Sequence, residues 1–297
     1  MGIITKFKQF RSGGSTSNGK GKKTDAKVEE EKEMSFLEHL EELRWHLIRS
    51  FAVILVVAIV IFTKIQWFLD NVILFAFDKN FPLHRFLCNL NADLCFEKIG
   101  VIFIAIEPYE QFLKSISISL IAGFIISFPY FAWEIWRFIK PGLHPREQKG
   151  MRGNVLVMSM LFFMGVAFAY YIVLPFSVQF LASYKISADI ENQWKIGNVI
   201  AMVTQIAIGG GVIFELPIVV YYLAKIGLVT PEFMKTYRRH AVVVLLVLAA
   251  VVTPPDWITQ VLVFLPLMVL YEISIKIAAV VTKNREKELA EELPKAE

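Results

Sequence analysis

The chain has 297 residues, of which 56% are hydrophobic and 20% charged, and a formal net charge of +4. Its mean hydropathy of +0.53 is too high for an ordinary soluble domain, so a purely aqueous globule is excluded and a lipid solvent is implied. The modest net charge gives no reason to expect a nucleic-acid partner.

Residues 1–34 contain Gly13-Gly-Ser-Thr-Ser-Asn-Gly-Lys-Gly-Lys-Lys23 followed by mixed charge. Such a segment cannot bury a core and reads as a flexible basic arm. It lacks the apolar stretch of a cleavable signal. A membrane domain is expected over 35–282, with a charged tail over 283–297. Its six apolar runs fall at about 46–63, 114–138, 153–174, 202–223, 240–252 and 258–275. A membrane-spanning helix needs roughly 20 apolar residues. The first four runs meet that length. The last two are short and are separated by Thr253-Pro-Pro-Asp256, which implies local thinning of the bilayer or a protein wall shorter than the membrane. The expected fold is therefore an all-α integral membrane protein with six transmembrane helices.

Lys and Arg crowd the N-terminal arm, the connection around Arg137–Arg152, the stretch Lys225–Arg239 and the C-terminal tail. The external loop at about 64–113 has four Lys/Arg against six acids, and the loop at 175–201 has only Lys185 and Lys195. The positive-inside rule then places both termini in the cytoplasm. The first external loop is rich in aromatics and is expected to pack as short helices across the outer face, and the loop at 175–201 to do likewise. It also holds Cys88 and Cys95, the only cysteines. A bridge between them is compatible with an oxidising compartment, and spacing alone leaves two free thiols equally open.

No nucleophile elbow, phosphate loop or His-Glu-x-x-His motif is present, and the five histidines show no metal-ligand spacing. No enzyme activity, cofactor or metal is expected. The chemistry-bearing residues are carboxylates. On the first helix Phe36, Leu40, Leu43 and Leu47 form one apolar face, while Glu38 and Glu42 share another. Glu41 can pair with Arg44 at i, i+3. Glu42 has no Lys or Arg at i+3 or i+4 and is the carboxylate most available to a partner. Glu147, after the Pro141-Gly142 turn, belongs to the same membrane face. Two carboxylates at one rim suit two guanidinium groups, whose planar forks match them better than an ammonium does. A solvated interfacial face and a helix N-terminus are the plainer explanations of the two acids. Glu215 falls mid-span in Gly-Gly-Gly-Val-Ile-Phe-Glu-Leu-Pro217, where an acid costs roughly 2.5–3.5 kcal/mol on insertion scales. Asp256 reads as a helix N-cap at the outer turn. The glycines and the prolines at 108, 129, 175, 217 and 266 are explained most simply by close helix packing and bends.

Four fragments in order resemble the TatC family, the receptor subunit of the twin-arginine protein translocase. They are Glu38-His-Leu-Glu-Glu-Leu-Arg44, Phe138-Ile-Lys-Pro-Gly-Leu-His-Pro-Arg-Glu147, Phe214-Glu-Leu-Pro217 and Thr253-Pro-Pro-Asp-Trp-Ile-Thr-Gln260. The resemblance implies a glove-shaped six-helix fold and a receptor, in a bacterial-type inner membrane, for twin-arginine signal peptides of folded cargo. It implies arginine recognition by Glu42 and Glu147, support from Arg44 and Phe138, and contacts of Glu215 with small single-span TatA/TatB-type subunits. Pro108 also has a family counterpart. Export would be driven by proton-motive force, with the groove facing membrane lipid and self-association in the complex. His144, Gln148 and Thr259 depart from the family's usual residues. The rival expectation is a proton-coupled small-solute carrier built around Glu215.

Overall fold

The computed structural model describes residues 36–78, 80–90, 101–139, 151–187 and 192–292. The N-terminal arm, Cys95, His144, Glu147 and the last five residues lie outside the described residues. The first helix, α1, spans Phe36–Thr63. Short pieces follow: α2 (Ile65–Phe68), a π turn at Leu69–Ile73, a 3-10 turn at Leu74–Phe77 and α3 (Pro82–Leu90). Strand β1 (Ile102–Ile104) leads to α4 (Glu110–Ile139). The third span is α5 (Met151–Phe168), a π turn (Ala169–Val173) and α6 (Leu174–Ser183). Strand β2 (Gln193–Lys195) precedes α7 (Ile196–Phe214) and α8 (Leu216–Lys225). The chain closes with α9 (Pro231–Thr236), α10 (Arg238–Val252) and α11 (Trp257–Glu292).

Five segments are long and apolar enough to cross a membrane: Glu41–Thr63, Glu110–Ile139, Gly153–Ser183, Ile196–Lys225 and Trp257–Lys287. Large apolar side chains remain exposed along them, such as Phe51, Val56 and Val60 on α1. A water-soluble protein does not present such a surface, and the chain is a multi-pass membrane protein. α10 is the sixth and short member. Its 15 residues reach about 22 Å, less than the roughly 30 Å hydrocarbon core.

The structure corrects three expectations. The third span is longer than 153–174, because Pro175 does not end it. The missing Pro N–H falls at the start of α6, where the preceding π turn has already broken the regular ladder. The sixth helix is longer than 258–275. α11 runs for 36 residues, and its later turns pack Ile275 and Ala278 against Ala224 and Met234. Its Arg285 lies over Gly227, which has φ 80° and where a Cβ would meet Nη1 at 1.9 Å. Finally, the external loops are not all helical. β1 and β2 pair in parallel, with Phe103 opposite Trp194, so the first and third loops are tied together.

The apolar core gathers Phe81, Ile118, Val173, Ile206 and Leu267. Phe81 is fully buried and stacks on Tyr171, which seats the first external loop on the third span. α5 and α7 meet backbone to backbone. A Cβ on Gly165 would lie 2.3 Å from the Gly210 carbonyl oxygen, and one on Gly210 would lie 2.4 Å from the Ala169 Cβ. The glycines at 209–211 thus serve close packing.

Candidate functional site: carboxylates at two membrane ends and in the interior

The first site is built where α1 begins and α4 ends. Glu42 is half-buried, while Glu41 and Arg44 are exposed. One turn along α1, His46 Nδ1 is hydrogen-bonded to Glu134 Oε2 on α4. The Tyr130 hydroxyl donates to Glu134 Oε1 at 2.8 Å. Ser50 Oγ donates to the His46 carbonyl at 2.9 Å. Glu134 is only 2% exposed. The His46 ring meets Phe138 edge-on at 6.4 Å between centroids. The structure therefore brings Glu42 and Phe138 to the same rim, and adds His46, Glu134 and Tyr130.

Reading the sequence missed Glu134 and His46. The available signal was one acid inside Phe131-Ala-Trp-Glu-Ile-Trp136, an aromatic run too apolar to leave a carboxylate unpaired.

Glu215 occupies the break between α7 and α8. It is the C-cap of the first and the N-cap of the second, and Pro217 supplies no donor to bridge them. The side chain is 9% exposed. It faces the backbone of Phe162 on α5 without a well-formed hydrogen bond to either carboxylate oxygen among the described residues. Tyr222 lies two turns further on the same helical face. Its ring packs on Trp136 at 5.0 Å. The Tyr222 hydroxyl and Trp136 Nε1 are also buried without a partner among the described residues.

At the opposite end, Glu110 opens α4 and is buried. Its carboxylate accepts from the Ile106 and Gly197 N–H groups, each at 3.2 Å. A Cβ on Gly197 would lie 2.1 Å from Glu110 Oε1, so only glycine leaves room for that bond. Lys195 donates to Glu107 at 3.1 Å and lies 3.8 Å from Glu110. The bond from Lys195 holds the exposed Glu107 carboxyl below its ordinary value, and Glu107 in turn raises the Lys195 ammonium. Pro108 is exposed between the two acids. No local pattern in the sequence marks Glu110, because its partner Gly197 is 87 residues away.

Asp256 is a helix cap, as its position suggested. Its Oδ1 accepts from Thr259 N at 2.7 Å and its Oδ2 accepts from the Thr259 hydroxyl. Cys88 sits half-buried on α3 and is disulfide-bonded. Among the described residues no group of His, Cys, Asp and Glu is arranged to hold a metal ion.

These features define a helical multi-pass membrane protein whose polar groups are clustered at its two ends and at one mid-span break. The family model for Sec-independent protein translocase protein (TatC) matches residues 38–266. The chain is similar to the Sec-independent protein translocase protein TatC of Blattabacterium sp. subsp. Periplaneta americana. The identity is 34% over 272 residues, covering 86% of this chain and 99% of the relative. TatC of Carboxydothermus hydrogenoformans is 35% identical over 251 residues, 84% of this chain and 94% of the relative. A crystal structure of the twin arginine translocase receptor TatC in DDM matches with a TM-score of 0.67 and 33% identity. It covers 81% of this chain and 99% of that one. The chain belongs to the TatC family of Sec-independent protein translocase proteins.

Proposed function

We propose that this chain is the receptor of a twin-arginine translocase, and that it binds twin-arginine signal peptides of folded cargo at its cytoplasmic face. Glu42 and Glu147 take the two guanidinium groups, with Phe138 and Arg44 beside them. The protein lies in a bacterial-type inner membrane with both termini cytoplasmic, as the distribution of Lys and Arg supports. It has no catalytic step of its own. Proton-motive force drives recruitment of single-span TatA/TatB-type subunits, which contact Glu215, and copies of the chain associate in the complex. The observation that carries the reading is the half-buried carboxylate of Glu42 at the rim where α4 presents Phe138. The apolar part of the signal then follows the exposed apolar surface of the spans, on which an apolar pocket of about 340 Å³ is lined by Ile118, Ile125, Phe163, Val166 and Tyr170. A solute carrier centred on Glu215 finds no support among the relatives, which are translocase proteins.

The test is binding of the full chain in detergent to a twin-arginine peptide and to the same peptide with twin lysine. A preference for arginine of about tenfold or more is expected, since a bidentate charged bond is worth more than a point charge. Equal affinities in folded protein would refute the assignment.

The same reading places the first external loop in an oxidising compartment, where Cys88 pairs with Cys95, the chain's other cysteine. Titration of denatured, unreduced protein should find no free thiol; two thiols would exclude the bridge.

A further inference from the structure

α1 and α4 run antiparallel over a long interface, and two contacts along it mark their register. Midway along them, a Cβ on Gly123 would lie 3.0 Å from the Ala58 Cβ, the Ala58 nitrogen and the Ile54 carbonyl oxygen. That contact is small-residue packing, which lets the two backbones approach closely. Nearer the rim lies the His46–Glu134 bond, the one side-chain hydrogen bond between these helices among the described residues. It is directional, and Tyr130 fills the second carboxylate oxygen.

Four residues make about one helical turn. One turn from His46 toward the rim is Glu42, and one turn from Glu134 in the same direction is Phe138. The bond that aligns the inner pair therefore aligns the outer pair. A slip of α1 by a single turn moves Glu42 about 5.4 Å along the axis, out of reach of a group resting on Phe138. Burying a carboxylate as deeply as Glu134 is costly unless it is hydrogen-bonded. Packing between the helices alone would be served by an apolar residue there.

We propose that His46 and Glu134 are positioning residues for signal-peptide recognition. Their bond holds Glu42 across from Phe138, so that one guanidinium forks onto the carboxylate while its flat face lies on the ring. An ammonium has no flat face to stack and no fork. The inner pair thereby sets the preference for arginine over lysine without touching the peptide. This inference rests on the receptor function proposed above.

Full-length protein in detergent is titrated with twin-arginine and twin-lysine peptides, comparing wild type, Glu134→Leu, Glu134→Gln and His46→Leu. Leucine is of similar size and suits a buried site in a membrane helix, but it accepts no hydrogen bond. Glutamine keeps an acceptor for the His46 N–H. Glu134→Leu and His46→Leu are each expected to weaken the twin-arginine peptide by about tenfold and leave the twin-lysine peptide unchanged, so the preference collapses. Glu134→Gln should keep the wild-type preference. Thermal melts of each variant show whether the bundle is intact, and either leucine variant that melts as wild type serves as the test. A wild-type preference in that variant overturns the proposal, as does loss of preference in Glu134→Gln equal to that in Glu134→Leu. Equal binding of the two peptides to wild type is a different outcome and overturns the receptor function itself. A uniform loss of affinity for both peptides would make the pair merely structural and likewise overturns the proposal.

Discussion

Replacing Glu42 and Glu147 together by alanine is expected to abolish recognition of a twin-arginine peptide while leaving insertion into the membrane unchanged. A hydrogen bond to a charged group contributes about 1.5–3 kcal/mol net. Two such carboxylates correspond to about a hundredfold loss of affinity or more, close to the floor of most binding assays. Glu42 does not belong to the packed interior. Glu42 is half-buried at the start of the first span, and Glu147 follows the end of α4 in the connection to α5. Substitution of Glu42, half-buried at the helix start, should therefore change stability by only a few tenths of a kcal/mol. The single variants should each lose part of the affinity, and the double variant should exceed either. Isothermal titration with the peptide, beside a thermal melt, separates the two effects. Wild-type affinity in the double variant would remove both residues from the site.

Glu215→Gln should have the opposite profile: peptide affinity as in wild type, but export in cells reduced by about tenfold or more. The carboxyl lies in a span, nearly buried, at a break where two helices each lack backbone continuity. Unsatisfied polar groups in hydrocarbon cost several kcal/mol. A polar side chain from a single-span partner is one way to satisfy it, and such a contact would form and dissolve with assembly. Glutamine preserves shape and one acceptor oxygen but cannot change its protonation. Peptide binding reports on the rim where α1 begins and α4 ends, and Glu215 is not part of that rim. Full export by Glu215→Gln would mean that neither charge nor proton at this position takes part.

The membrane architecture was legible because hydrophobicity over roughly 20 residues is a one-dimensional quantity. The runs beginning near 46, 114, 153 and 202 all became spans, and α10 came out short. Asp256 was legible because an N-cap is a local contact, closed within three residues by Thr259. Glu42 and Glu215 stood out because a charge at a membrane edge or inside a span is conspicuous in any apolar context.

Partner choice between distant segments was not legible. The apolar stripe of Phe36, Leu40, Leu43 and Leu47 does not tell which side of α1 meets α4: Leu47 is exposed, and the face turned to α4 carries His46 and Ala58. In lipid, apolar side chains gain nothing by leaving the solvent, so small and polar residues are left to make the helix contacts. The same reversal hid Glu134, whose partner lies 88 residues away, and Glu110, whose partner Gly197 is 87 residues away. By itself the sequence determined how many times the chain crosses the membrane and where its acids fall along each crossing. Only the tertiary structure decided which acids are paired, because pairing depends on helix rotation and register, and no local periodicity records either.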